Sequence, residues 1–162
     1  MRSEVQADID GDTLYYGKYL SPSGTAAFPV LLLEAVTAHD DDWLINSLGQ
    51  PGYHLERYPR RTPSGGWTTA KVPYSAAETL GEGEFNRFYV RGLCLRALAD
   101  GVDSLRVERV KEVANPRQES EQLRGTLVNA TALLADLREH PGVDTALGVP
   151  SGPNSGLSVE LP

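Results

Sequence analysis

Residues 82–100 constrain the fold more than any other stretch, because they hold apolar side chains at almost every angle of a helical wheel. Phe85, Phe88, Tyr89, Val90, Leu93, Cys94, Leu95, Ala97, Leu98 and Ala99 wound at about 100° per residue leave little room for a wet face. A helix that is apolar nearly all round is expected to be buried. Glu82 and Glu84 stand where acids favour a helix N-terminus, and Asp100 followed by Gly101 supplies a stop. The rest of the chain is therefore read as the material that wraps this helix.

Enough of that material exists. The 162 residues, 40% of them apolar, suit one domain with a real core. No apolar run approaches the roughly 20 residues that cross a bilayer, and the residues after Met1 are too polar for a cleaved secretion signal. The expected location is accordingly the cytoplasm or a virion. The single cysteine, Cys94, excludes an internal disulfide and lies inside the apolar helix, where a small buried hydrophobe is the simpler reading than a reactive thiol. A net charge of -7 argues against wholesale binding of phosphate backbones, but the charge is segregated. Asp8, Asp10, Asp12, Glu34, Asp40, Asp41 and Asp42 make the first quarter acidic, whereas Arg57, Arg60, Arg61 and Lys71 cluster with only Glu56 against them. Segments of opposite sign in one chain offer a basis for one copy to meet another.

In chain order, residues 4–9 and 13–20 flank Asp10, Gly11 and Asp12, a turn signal that predicts an N-terminal β-hairpin. The glycine lies between the second and third acids and no glutamate follows at the twelfth place, so a calcium loop is not expected. Residues 21–24 read as a break, and 28–37 as a helix with Pro29 in its first turn. Asp40, Asp41 and Asp42 then read as the capped start of a short helix carrying Trp43, Leu44, Ile45 and Leu48. A second hairpin is predicted from residues 53–60 and 67–73 around a turn at 62–66, on an exposed edge because of Pro59, Pro63 and Pro73.

After the central helix, residues 104–110 alternate as a strand, 118–124 form a short polar helix, and 130–140 a last helix capped by Asn129 or Thr131. Residues 141–162 are a Gly/Pro-rich tail whose final alternation, at 157–161, predicts docking. The expected architecture is thus a single α+β domain over residues 1–140, with two β-hairpins, a buried central helix, an adjacent strand and an extended C-terminal tail.

Chemistry-bearing motifs are scarce. His39, His54 and His140 have no metal-ligand spacing and read as surface residues, and there is no nucleophile elbow. The glycines and Lys18 between residues 11 and 18 miss phosphate-loop spacing, and Tyr19 stands where Ser or Thr would be needed. Asp103, Glu108 and Lys111 are out of order for a metal nuclease. No catalytic, cofactor-binding or metal-binding residue is assigned, and whether the chain is an enzyme stays open. Arg87 and Arg91 lie one turn apart on the helix expected to be buried, and so call for acidic or carbonyl partners. Glu84 is the nearest in sequence, with Glu119 and Glu121 as further candidates. An internal ion-pair network is favoured over an anion site.

The predicted interaction residues are Tyr53, Arg57, Tyr58, Arg60, Arg61, Trp67 and Lys71, an aromatic and basic hairpin suited to two uses. It can form an arm that lies on another subunit, since Tyr, Trp and Arg dominate interface hot spots. Alternatively its rings can stack on single-stranded nucleic acid while its cations meet phosphate. The overall acidity favours the arm.

Residues 85–94, 115–121 and 152–157 resemble uncharacterised bacterial proteins associated with phages and prophages. The resemblance covers the second half of the chain and implies a virion or phage-like assembly component, without transferring any functional residue. The expected function is a non-enzymatic structural subunit that associates, through the hairpin and its terminal arms, with other copies of itself or other subunits. A nucleic-acid-associated or defence protein is the alternative.

Overall fold

A computed structural model describes residues 1–113, 115–142, 145–150 and 155–162. The architecture is α+β. Helices α1 (Arg2–Asp10), α2 (Pro22–Ala38) and α3 (Asp41–Leu48) come first, followed by strands β1 (Arg57–Arg61) and β2 (Trp67–Lys71). The long helix α4 (Ala76–Ala99) leads into β3 (Ser104–Arg109), α5 (Gln118–Leu123), β4 (Leu127–Asn129), α6 (Ala130–Glu139) and β5 (Leu157–Glu160).

Helix α4 is apolar all round because it is clad on two sides. Leu80 and Phe88 face one cluster, where α1 to α3 contribute Val5, Phe28, Leu32, Ala35, Leu44 and Leu48. Val90, Cys94 and Ala97 face a second, built from Leu105, Val107, Leu133, Leu137, Leu157 and Val159 of the sheet and α6. Each fully buried side chain of this size stabilises the fold by about 1.5–3 kcal/mol, so α4 joins two cores into one body. Tyr89 and Leu98, at 42% and 37% exposure, and the terminal Ala99 are the apolar side chains left wet.

The helix starts earlier than its acids predict. It runs from Ala76 through Gly81 and Gly83, two residues that disfavour helix in isolation. Gly81 is explained by packing, since a Cβ there would lie 2.8 Å from Cγ1 of Ile45 on α3. Close approach of α3 and α4 thus overrides the local propensity.

The predicted N-terminal hairpin is not formed, so one of the two expected hairpins exists. Residues 2–10 are helical, placing Glu4 and Asp8, spaced four apart, towards α4, while the adjacent Val5 enters the core. Val5, Ala7 and Ile9 fit a period of two, but the charged pair and its distant partner decide for the helical period. The aspartates and glycine at 10–12 end the helix instead of turning a ribbon. The Gly11 N–H bonds back to the Ala7 carbonyl, and Asp12 takes the left-handed conformation at φ 54°. Residues 21–24, expected to be a break, are instead a helix start. The Ser21 hydroxyl accepts from the Gly24 N–H at 3.1 Å and Pro22 occupies the first helical position, which leaves Pro29 in the interior of α2.

The other local signals behave as read. Asp40 caps α3 through the Trp43 N–H, and Asn129 caps α6 through the Ala132 N–H, both at 2.9 Å. Strand β3 is the centre of a three-stranded antiparallel sheet in the order β4-β3-β5. Strand β5, from the Gly/Pro-rich segment, pairs Val159 with Val107 and Leu157 with Arg109, and buries Leu157, Ser158 and Val159. Strand β4 carries only three residues, too short a run for alternation to reveal.

Candidate functional site

The predicted interaction residues fall into two groups. The β1–β2 pair is an antiparallel ribbon in which Arg57 opposes Lys71, Tyr58 opposes Ala70, and Arg61 opposes Trp67. Side chains directly opposite share a face, so Arg57, Arg61, Trp67 and Lys71 lie together on one side, with Tyr58 and Arg60 on the other. Trp67 is 67% exposed, and the Arg61 guanidinium lies 5.0 Å from its ring centroid. Tyr58 is half-buried and meets Tyr19 edge-on at 4.8 Å, which ties the ribbon to the loop after α1. Tyr53 precedes the strand. Its backbone carbonyl accepts from the Ser21 N–H and passes so close to Gly24 that a Cβ there would approach it to 2.1 Å.

The four cations of the ribbon share one property. Among the described residues, Arg57, Arg60, Arg61 and Lys71 form no ion pair; Arg57 turns its guanidinium onto Thr69 instead. Like charges directly opposed on a ribbon are destabilising, and here Arg57 faces Lys71.

Arg87 and Arg91 are buried, at 3% and 2% exposure. The Arg91 guanidinium donates from Nε to Glu4 at 2.8 Å and reaches Asp8 in bidentate fashion, through Nη1 at 2.6 Å and Nη2 at 2.9 Å. Arg138 of α6 donates to Glu4 as well. Burial alone would raise the Glu4 carboxyl, but the hydrogen bonds and charges of Arg138 and Arg91 outweigh it and hold its pKa below the ordinary value. Arg87 donates from Nε to Glu84 at 3.2 Å, and from Nη1 to the carbonyls of Leu137 and His140. Glu84 lacks a second cation as close; burial, with the charge of Asp8 adding, pushes it up to about 7 despite Arg87 and Arg91. The internal network expected from the sequence is present. Of the other acids considered for it, Glu121 reaches Arg109 instead.

A cavity of about 600 Å³ opens beside the first half of α4. Leu80, Phe85, Tyr89, Val110 and Tyr15 supply apolar and aromatic wall, while Glu84 and Arg87 line its α4 side. Lys111 lines it too, paired with Glu82 and Glu78. The sequence placed Arg87 on a buried helix but could not show that space lies next to it. The walls come from the loop before α2, from the first residue of α3, from α4, from the residues just after β3 and from the start of β5.

The remaining candidates stay apart. Among the described residues, no group of three or more His, Cys, Asp or Glu is placed to hold a metal ion. Cys94 is buried, and its thiol is pushed up to about 12 by that burial. His54, read from sequence as a surface residue, is half-buried and its pKa is lowered by desolvation. Lys111, weighed with Asp103 and Glu108, is tied to α4 instead, and Glu108 pairs with Arg124. Residues 152–154 of the resemblance lie outside the described residues.

No helix of the described residues is long and apolar enough to cross a membrane. Comparison of the chain with protein-family models, with curated proteins and with solved structures found no match.

Proposed function

We propose that this chain is a non-enzymatic structural subunit of a larger, phage-like assembly, with the β1–β2 ribbon as its contact arm. The observation that carries the reading is the exposed face that bears Trp67 with Arg61 over its ring and, at the far end of the ribbon, Arg57 and Lys71. None of these cations has an acid partner among the described residues. A two-stranded ribbon is marginal in water by itself, and one bearing opposed cations gains from an acidic surface laid against it. The chain carries such a surface at Asp40, Asp41 and Asp42, which are exposed at the start of α3. A second acidic copy is therefore the favoured partner: charge sets the register and Trp67 supplies the apolar anchor. The phage-like setting rests on the sequence resemblance.

Sedimentation over a range of concentrations tests the arm. The wild type is expected to gain mass with concentration, and Trp67→Ala combined with Arg61→Ala to remain monomeric with unchanged helical content. A strict monomer at the highest concentration sinks the reading. The pairing of Arg61 with Trp67 also favours a second reading, stacking on single-stranded nucleic acid. Salt-sensitive retention on single-stranded DNA, lost in the Arg60→Ala, Arg61→Ala double variant, would replace the first reading with this one.

A further inference from the structure

Arg87 lines the cavity beside α4 and leaves one guanidinium nitrogen without an acceptor among the described residues. Arg87 is nine-tenths buried or more, and two of its three guanidinium nitrogens are engaged: Nε with Glu84, and Nη1 with the carbonyls of Leu137 and His140. Nη2 has no hydrogen-bond acceptor among the described residues. Arg87 is not among the buried polar atoms left without a partner, so this nitrogen reaches the accessible surface, where an acceptor from outside can replace water. The volume, about 600 Å³, falls within the range that holds small organic ligands.

We propose that this cavity binds a small aromatic carboxylate, the ring lying among Phe85, Tyr89 and Leu80 and the carboxylate accepting from Arg87. The other charges support an anion over a cation. Lys111 is satisfied by Glu82 and Glu78, and Lys18 lies over Tyr19 and Tyr58 without an ion pair among the described residues. Of the wall acids Asp41, Glu82 and Glu84, only Asp41 has no basic partner among the described residues. An ammonium group placed beside Arg87 would meet repulsion instead of a free donor.

Glu84 is the neighbour that such a ligand must tolerate. It faces Arg87 and Arg91 on its own helix and Asp8 from α1, while α6 presents the His140 carbonyl to the same arginine. A second carboxylate drawn onto Arg87 favours the protonated form of Glu84, so binding takes up a proton and weakens as the pH rises.

Isothermal titration of the full chain with phenylacetate and indole-3-acetate tests the proposal, with phenylacetamide and phenethylamine as neutral and cationic counterparts. The acids are expected to bind, with the amide about tenfold weaker or worse and the amine silent. Affinity for the acids should drop about tenfold between roughly pH 6 and pH 8, and proton uptake should appear as a dependence of the heat on buffer ionisation. Val110→Trp, a change on an exposed wall residue, should abolish binding while leaving thermal unfolding intact; Arg87→Lys should weaken it if the variant folds. Equal binding of acid and amide, binding led by the amine, silence of both acids at millimolar concentration, or acid binding untouched by Val110→Trp would each overturn the assignment. The outcome is independent of the arm, since none of these variants alters the ribbon.

Discussion

Glu4 and Arg91 stand 87 residues apart in sequence and meet at 2.8 Å in the interior, each almost wholly removed from water. Their contact fastens the N-terminal helix to the central one, and Arg138 joins Glu4 from α6, so three helices converge on a single carboxylate. Charges this dry are held only because each has partners.

Glu4→Ala strips the shared acceptor from two arginines. It is expected to destabilise the fold by about 3–5 kcal/mol, the range for breaking one side of a buried pair. Urea unfolding provides the measurement. In a cycle with Arg91→Met the two losses should fail to add, because both changes remove the same Glu4–Arg91 contact.

Glu84 makes stability depend on pH in the sense opposite to an ordinary ion-paired acid. Its folded pKa, about 7, lies above the unfolded value near 4.5, so between these the folded state holds the extra proton. Its contribution is fully present below about pH 4.5 and is lost as the pH rises through 7. Glu4 has a lowered folded pKa, and its contribution is present above about 4.5 and lost on acidification. Glu84→Gln should therefore flatten the decline of melting temperature between about pH 5 and pH 8 while leaving the acid limb in place. An unchanged slope would assign that window to another group.

Strand β5 completes the sheet from the last residues of the chain. Ending the chain at Ser155 removes Leu157, Ser158 and Val159 from the core, frees Asn86 of its bonds to the Leu157 carbonyl and the Ser158 hydroxyl, and turns one side of β3 into an open edge. The truncated chain is expected to lose several kcal/mol and to aggregate, as bare apolar edges do. Light scattering together with circular dichroism would show it.

Cys94 should ignore a thiol reagent at neutral pH until the protein unfolds, because burial pushes its thiol up to about 12 and leaves no exposed thiolate. Labelling kinetics in rising urea should then follow the unfolding transition. Prompt labelling of the native protein would show that the helix is less enclosed than its packing indicates.

The element that organises the molecule was legible in the chain, because burial on all sides needs apolar residues on all sides, as in Phe88, Val90, Cys94 and Ala97. Caps at Asp40 and Asn129 and the ribbon around residues 62–66 were legible for a related reason: a few neighbouring residues hold all the determinants. The N-terminal helix was misread because its decisive partner, Arg91, lies far along the chain, and short-range periodicity cannot weigh a contact it does not contain. The same limit hid the role of Gly81, whose bare Cα matters only when Ile45 lies against it, and the placing of β5, itself expected as a docked strand, beside the cavity. Composition and local pattern determined which segments would be dry, helical or exposed. Which charges meet inside, and where packing stops short and leaves room for a ligand, was decided only when distant segments converged, since Coulomb attraction and close packing act over ångströms in space and take no account of separation along the chain.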